Sequence, residues 1–508
     1  MNMSHTAGLG GTGTCATRNM FHTAELGGSF WCYKRTLAFV CVFLVLMLRS
    51  SFMKNRIFGL ENEYGLIFSP TGKVYLPMEK ILGYIFDGLI PNSWPSNAFL
   101  CNGARFYQDT GCHPEYATPE CDTVFDVVVH DKAGERILES CLPMAEQRLK
   151  EKGLSGTISI YKNNTDSMGN TYGCHENYLI RRDIDFWKVA EQLIPFFVTR
   201  LIYIGTGKVL KSSGKCHYFI SQRAQHIHEK TSSSTTSSRS IINTRDEPHA
   251  DAEKYRRLHI IVGDSNMSEY ATYLKVGTTA LILNMIEAGF SVAGMTLEDP
   301  VKAMRDISRD LTLKKKVRME NGKEYTAIEI QRIYLTAVKE YLDAEETDDD
   351  EVEEIVAQWE YVLDTLEEDP DLLAGEIDWI TKKGLIDSFM EKKDCAMDDP
   401  RVAMMDLQYH DINQTRGLYY LLAKNNSIQK MATEAEIKHA MENPPETTRA
   451  KIRGDFIRFA KAKNRSYTVD WTYLKLNGYW EETILCMDPF ASSNPRLKVL
   501  IAAATPHK

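Results

Sequence analysis

Cysteine is scarce in this chain and nowhere arranged in close pairs. There are 11 in 508 residues, and no two are spaced as Cys-x-x-Cys. That excludes a disulfide scaffold, a zinc ribbon and a thioredoxin-like dithiol, and it suits reduced, buried thiols in a cytoplasmic protein. A strong excess of one charge is missing too. The 60 Lys and Arg against 69 Asp and Glu leave −9, the wrong sign for a protein whose main task is gripping nucleic-acid phosphates, though not for one with a local basic pocket. The apolar stretch Thr36–Leu48 runs 13 residues, short of the roughly 20 that a spanning helix needs. There is no repeat of fixed period and no Ser-His-Asp pattern. A Walker loop is absent: Gly205-Thr-Gly-Lys208 continues into Val209 and lacks the earlier glycine and the Ser/Thr.

What the chain does have is material for a core. Apolar residues make up 43% and aromatics 10%, which excludes disorder for most of the length. The size allows two to four domains, or one large catalytic domain with an appendage. Residues 1–52 read differently from the rest. Gly8-Leu-Gly10-Gly-Thr-Gly13 matches the dinucleotide fingerprint, but it has no strand before it and no helix after it. The apolar stretch lacks a small-x-small cleavage site in Leu48-Arg-Ser-Ser-Phe52. Met53 opens a well-patterned strand, so the expectation is that the natural chain starts there and 1–52 is an upstream-start artefact; membrane anchoring through Thr36–Leu48 is the alternative.

Hydrophobic periodicity predicts strands over 56–68, 103–109, 156–161, 175–181, 216–220 and 257–263. It predicts amphipathic helices over 136–151, 185–201, 270–289, 322–343 and 351–367. Ser232–Ser240 reads as a polar loop and Asp343–Glu354 as an acidic turn between helices. The polar stretch near 425–445, ending in Pro444-Pro445, marks a boundary. The expected domains are a catalytic one over 53–430 and a small C-terminal one over 431–508.

Two strands carry the chemistry. In the segment from Arg56 to Phe68 the even positions are mostly apolar, while Glu61 and Glu63 share the opposite face beside Gly59 and Gly65. Such a pair is either solvated or a ligand set for a hard cation such as Mg²⁺. Asn102–Asp109 sets Arg105, Tyr107 and Asp109 on one face, a row that is costly to bury without a partner. The turn that follows, Thr110-Gly-Cys-His-Pro-Glu-Tyr-Ala-Thr118, returns Glu115 and Thr118 toward them. Arginine suits phosphate oxygens and Asp109 suits proton acceptance, so the set reads as a nucleotide–metal site with a general base. His113 reads as a turn-packing residue. His175, Glu176, Arg256, Arg257, His259 and Glu63 are either further site residues or ordinary polar ones.

The segments Arg56–Gly65, Asn102–Asp109, His113–Asp122, Lys162–Tyr178, Ile242–His259 and Thr468–Asn477 closely resemble the Pup–protein ligase family, in order, from Met53 essentially to the C-terminus. The resemblance implies an α+β, glutamine-synthetase-like fold: a curved antiparallel sheet cradle with packed helices and a small C-terminal domain alongside. It implies an ATP-dependent ligase with ATP and Mg²⁺. The enzyme would join the side-chain carboxylate of the C-terminal glutamate of Pup, the prokaryotic ubiquitin-like protein, to lysines of many target proteins. The route is a γ-glutamyl phosphate, and the products are marked for the proteasome. By position, Glu61, Tyr107 and Glu115 match the family's magnesium site, Arg105, Thr118 and Trp471 its ATP contacts, and Asp109 its proton acceptor. The rivals are the sister depupylase or deamidase of the same fold and a non-catalytic nucleotide- or Pup-binding module. The sister enzyme carries an extra loop before the catalytic strand, whereas here Glu61 and Asp109 are only 48 residues apart. A pure binding module would have no use for Asp109.

Overall fold

The computed structural model describes residues 56–503, apart from 74, 90–96, 167, 213, 235–237 and 479–481. The readings of the first 52 residues and of Met53 fall outside the described residues.

An eight-stranded sheet forms the centre, in the order β10-β11-β12-β7-β1-β5-β4-β3. Its strands are β1 (Phe58–Glu63), β3 (Asn97–Phe99), β4 (Arg105–Asp109), β5 (His113–Ala117), β7 (Cys174–Arg181), β10 (Glu229–Ser232), β11 (Ser240–Asn243) and β12 (Tyr255–Ile260). Neighbours are antiparallel except β10 and β11, which run parallel. Alternation along the strands sends Phe58, Leu60, Tyr178, Ile180, Leu258 and Ile260 to one face, where the helices Phe186–Thr199 and Glu269–Glu287 cover them in a single core. Their polar neighbours face the other way, and that face is the cradle.

The continuous strand expected over 56–68 does not form. β1 ends at Glu63, and β2 (Gly65–Pro70) leaves to pair with β6 (Gly156–Tyr161). The ladder ends because Glu63 N–H donates to the Gly173 carbonyl while Tyr64 N–H turns to that of Pro114. The Tyr64 ring then enters a second core with Phe86, Phe106 and Leu138.

The helices expected over 185–201, 270–289 and 351–367 form as Phe186–Thr199, Glu269–Glu287 and Asp350–Glu368, while the other two differ from what periodicity indicates. The helix expected over 136–151 begins at Val124 and runs to Glu151, capped by Thr123, whose hydroxyl accepts from Asp126 N–H. Its first half was hidden because it buries charge as well as apolar groups, which leaves no amphipathic stripe. Lys162 donates to Asp131 at 2.6 Å and to Glu135 at 2.8 Å, and Lys132 donates to Glu135 at 2.9 Å. Asp131 also accepts from Asn62 at 2.8 Å, so this network holds β1 between its two glutamates. Removing one partner of such a buried pair costs roughly 3–5 kcal/mol. The segment 322–326 contributes β14 (Glu324–Thr326), paired with β13 (Lys316–Arg318), before a capping box at Thr326 and Glu329 starts the helix Ala327–Ala344. The acidic turn is shorter than expected, since Asp350–Glu368 is already helical with Asp349 as its cap.

At the C-terminal end β15 (Tyr467–Val469), β16 (Tyr473–Leu476) and β17 (Glu482–Leu485) form an antiparallel sheet. With the helices Arg449–Ala462 and Pro495–Ala503 it encloses a core of Ile452, Phe456, Leu474, Leu476 and Ile484, into which Phe99 of β3 inserts. No helix among the described residues is long and apolar enough to cross a membrane.

Candidate active site

The cradle face lines a cavity of about 1230 Å³. Register decides which side chains meet there. Glu63 lies opposite Glu115 and Tyr107 opposite Glu115, while Glu61 lies between Ala117 on one side and His175 on the other. Two clusters result. Carboxylate oxygens of Glu63, Asp109 and Glu115 come within 4.8 Å of one another, and so do the ligand atoms of Glu61, His175 and His259.

The electrostatics of the two clusters differ. Burial pushes the Glu115 carboxyl well above its ordinary range, and the charges of Glu61 and Glu63 push it further. Glu63 is raised chiefly by burial, with the Asp109 charge adding to it. The Tyr107 hydroxyl, bonded to Glu115, is raised well above its usual value by burial and by Glu61 and Glu115. Glu61 behaves oppositely. Burial opposes its ionisation, but the His175 hydrogen bond and the charge of nearby Arg257 outweigh it and hold the carboxyl well below the usual range. His259 is driven well below its ordinary value by burial and by Arg257, so it is neutral at pH 7 and Arg257 is the lasting cation beside Glu61.

The donor chemistry fits metal. Three carboxylates crowded together, whose mutual repulsion a bound cation would relieve, suit a hard divalent ion. In the second cluster both ring nitrogens of buried His259 lack a hydrogen-bond partner among the described residues.

Beside the acids a narrow apolar cleft is lined by Gly59, Leu60, Thr118, His249, Trp471 and Pro489. The Thr118 hydroxyl accepts from Leu60 N–H at 3.0 Å, which tethers β1 to the residue after β5. Arg105 donates to the Asn97 amide oxygen at 2.7 Å and lies over the Tyr107 ring at 4.3 Å. Trp471 meets Phe99 edge to face at 5.0 Å, so the small C-terminal sheet closes one side of the cleft.

Glu61, Arg105, Tyr107, Asp109, Glu115 and Trp471 all line the cavity, and Thr118 lines the cleft next to it. Glu63, His175, Arg257 and His259, which the sequence left open, stand in the same cavity. Glu176 does not: it is buried behind the sheet in an ion pair with Arg200. Arg256 stacks on Phe186, 3.7 Å from the ring centre. His113 donates to the Tyr64 carbonyl and stacks on Tyr172 at 4.1 Å, and it also lines the cavity. Arg223 and Arg239 line the cavity without any local sequence signal, because long-range packing alone brings them there, and His249 of the segment Ile242–His259 joins them.

An acidic cluster, flanking arginines and an apolar cleft share one sheet face, a donor set that would suit a divalent cation beside a polyanion with an apolar end. The pattern of the Pup-ligase protein family matches residues 56–475, and the chain belongs to that family. It is 52% identical over 452 residues to a Pup–protein ligase of Geodermatophilus obscurus, covering 89% of this chain and 100% of that one. It is 50% identical to one of a Nocardioides species, covering 88% and 99%. Among solved structures it resembles the ligase PafA in complex with Pup (TM-score 0.83, 37% identity, 89% and 93% covered). It also resembles PafA in complex with ADP (TM-score 0.76, 36% identity, 85% and 94% covered).

Proposed function

We propose that this protein is an ATP-dependent ligase that joins the side-chain carboxylate of the C-terminal glutamate of Pup to lysines of target proteins, marking them for the proteasome. The observation that carries the reading is the packing of Glu63, Asp109 and Glu115 within 4.8 Å, in a chain of the Pup-ligase family. ATP first phosphorylates the glutamate carboxylate, and the lysine amine then displaces phosphate to leave an isopeptide bond.

Each residue has a task in that sequence. Glu61, Tyr107 and Glu115 are the proposed Mg²⁺ set, and Glu63 stands close enough to share it. A Mg²⁺ ion held there would offset the phosphate charge that otherwise repels the incoming carboxylate. Arg105, Thr118 and Trp471 hold ATP: the guanidinium meets phosphate oxygens, and the indole and threonine wall the apolar cleft. Asp109 accepts the proton of the attacking lysine, which at a reference pKa near 10.4 is almost wholly protonated at neutral pH. Enclosure by the C-terminal sheet keeps water from the acyl phosphate. Division into a catalytic domain over 53–430 and a C-terminal domain over 431–508 belongs to this reading, as does a cytoplasmic location.

The test mixes the chain with MgATP, Pup ending in glutamate and a lysine-bearing protein. ADP and a Pup–protein adduct are expected together. Cleavage of a preformed adduct with no ADP formed would move the chain to the depupylase. Neither product would leave a binding module.

A further inference from the structure

A buried ion cluster runs from the wall of the nucleotide cleft, which Glu120 and Arg449 line, back to Arg453 behind it, and nothing in the reaction above uses it. Glu120, two residues past Thr118, is enclosed by two arginines of the helix Arg449–Ala462. Arg453 donates to both of its oxygens at 2.7 Å, and Arg449 donates to one at 2.7 Å. Burial would raise the Glu120 carboxyl, but the two guanidiniums outweigh it and hold it at about 2.

The same Arg453 guanidinium reaches further. It donates to the Gly103 carbonyl at 2.8 Å and to the Trp471 carbonyl at 3.3 Å, and it lies 4.8 Å from the Trp471 ring and 5.1 Å from that of Phe99. Gly103 lies two residues before Arg105. Its φ is +81°, and a Cβ there would meet that of Ala450 at 2.9 Å, so the helix rests directly on this turn. One side chain therefore touches the three segments that carry Arg105, Thr118 and Trp471. At 1% exposure it lines neither cavity. Stability alone would not demand this arrangement, since apolar groups of similar volume often replace a buried ion pair without loss. A planar fork adds direction, fixing several acceptors at once.

We propose that Arg453, anchored by Glu120, is a positioning residue of the nucleotide site that sets Arg105, Thr118 and Trp471 relative to one another from behind. This rests on the reading of those three as nucleotide contacts. The test compares Arg453→Lys, Arg453→Gln and a control, Arg56→Lys, which disturbs a buried 2.6 Å pair with Glu287 elsewhere. MgADP affinity by calorimetry, melting temperature, and KM for ATP and for Pup are measured on each. Arg453→Lys is expected to weaken MgADP and raise the ATP KM about tenfold, the order of one lost charge-assisted hydrogen bond, with the Pup KM within about twofold. Arg56→Lys is expected to lower the melting temperature and leave MgADP affinity alone. If Arg453→Lys loses stability but keeps its MgADP affinity, or if both KM values rise together, Arg453 is structural only and the proposal falls. Should Arg453→Lys not fold, Arg453→Gln, which keeps a planar donor without the charge, decides in the same way, through loss of affinity against none. A wild-type chain that binds MgADP yet forms no Pup adduct overturns the ligase reading while the affinity comparison still judges Arg453. A wild-type chain that binds no MgADP overturns both.

Discussion

Replacing Asp109 with Asn removes one carboxylate from a cluster whose oxygens lie within 4.8 Å of one another. Two full charges at that distance repel by roughly 3.5 kcal/mol at an effective dielectric near 20. Glu63 and Glu115 are raised by burial and by their neighbours' charges, so relaxation of the cluster already relieves part of the repulsion. About 1–2 kcal/mol is left for the substitution to recover. In EDTA the variant should therefore melt higher than wild type, by about 2–4 °C. Conjugation should fall by about 10²–10⁴, the usual contribution of a positioned base, with ATP still bound. The assays are melting curves in EDTA, nucleotide binding, and conjugation at saturating ATP and Pup. Conjugation within about tenfold of wild type would remove the general-base role. A lower melting temperature in EDTA would refute the electrostatic account of the cluster, because losing a repelled charge cannot destabilise a site whose strain is repulsion.

Two further substitutions test the geometry and the charge of the frame. Gly173→Ala would bring a Cβ against the His175 imidazole and to 2.6 Å from Glu63 Oε1, displacing one group of each cluster. Turnover should fall about 100-fold while the chain folds, and turnover within threefold would show that the clusters tolerate the shift. Glu351 accepts from the N–H groups of Val124 and Phe125 at the start of the long helix, yet burial raises its carboxyl from 4.5 to about 7. The folded state thus favours the protonated acid, and the stability this gives is complete below pH 4.5 and lost as pH rises to about 7. Glu351→Gln should match wild type at pH 4.5 and be more stable at pH 8, by up to about 3 kcal/mol in denaturant melts. A destabilised variant at pH 8 would show that the two N–H donors outweigh burial.

Much of the site was legible along single strands. Period-two alternation places Glu61 with Glu63 and Arg105 with Tyr107 and Asp109, and the tertiary structure keeps those rows. Periodicity alone runs the strand too far, because nothing local says that Tyr64 N–H will turn to Pro114 and start another sheet. The helix from Val124 was read too short for a related reason: buried Asp131, Lys132 and Glu135 imitate a solvated segment until their partners Lys162, Asn62 and Tyr420 are in place.

By itself, the sequence determined the strand faces, the acids and cations they carry, and the motifs that mark the Pup-ligase family. Those are local properties, set by backbone period and residue chemistry. Which acid joins which cluster depends on contacts between distant strands. Glu63 meets Glu115 and Asp109 through the register of β1, β4 and β5, while Glu61 meets His175 and His259 through β7 and β12. Register is set by burying a whole sheet face against its helices, since a slip of one residue would turn Phe58 and Leu60 out of the core and the glutamates into it. The reach of Arg453 to Glu120, Gly103 and Trp471 has the same origin: a buried guanidinium takes whatever acceptors the packed chain presents.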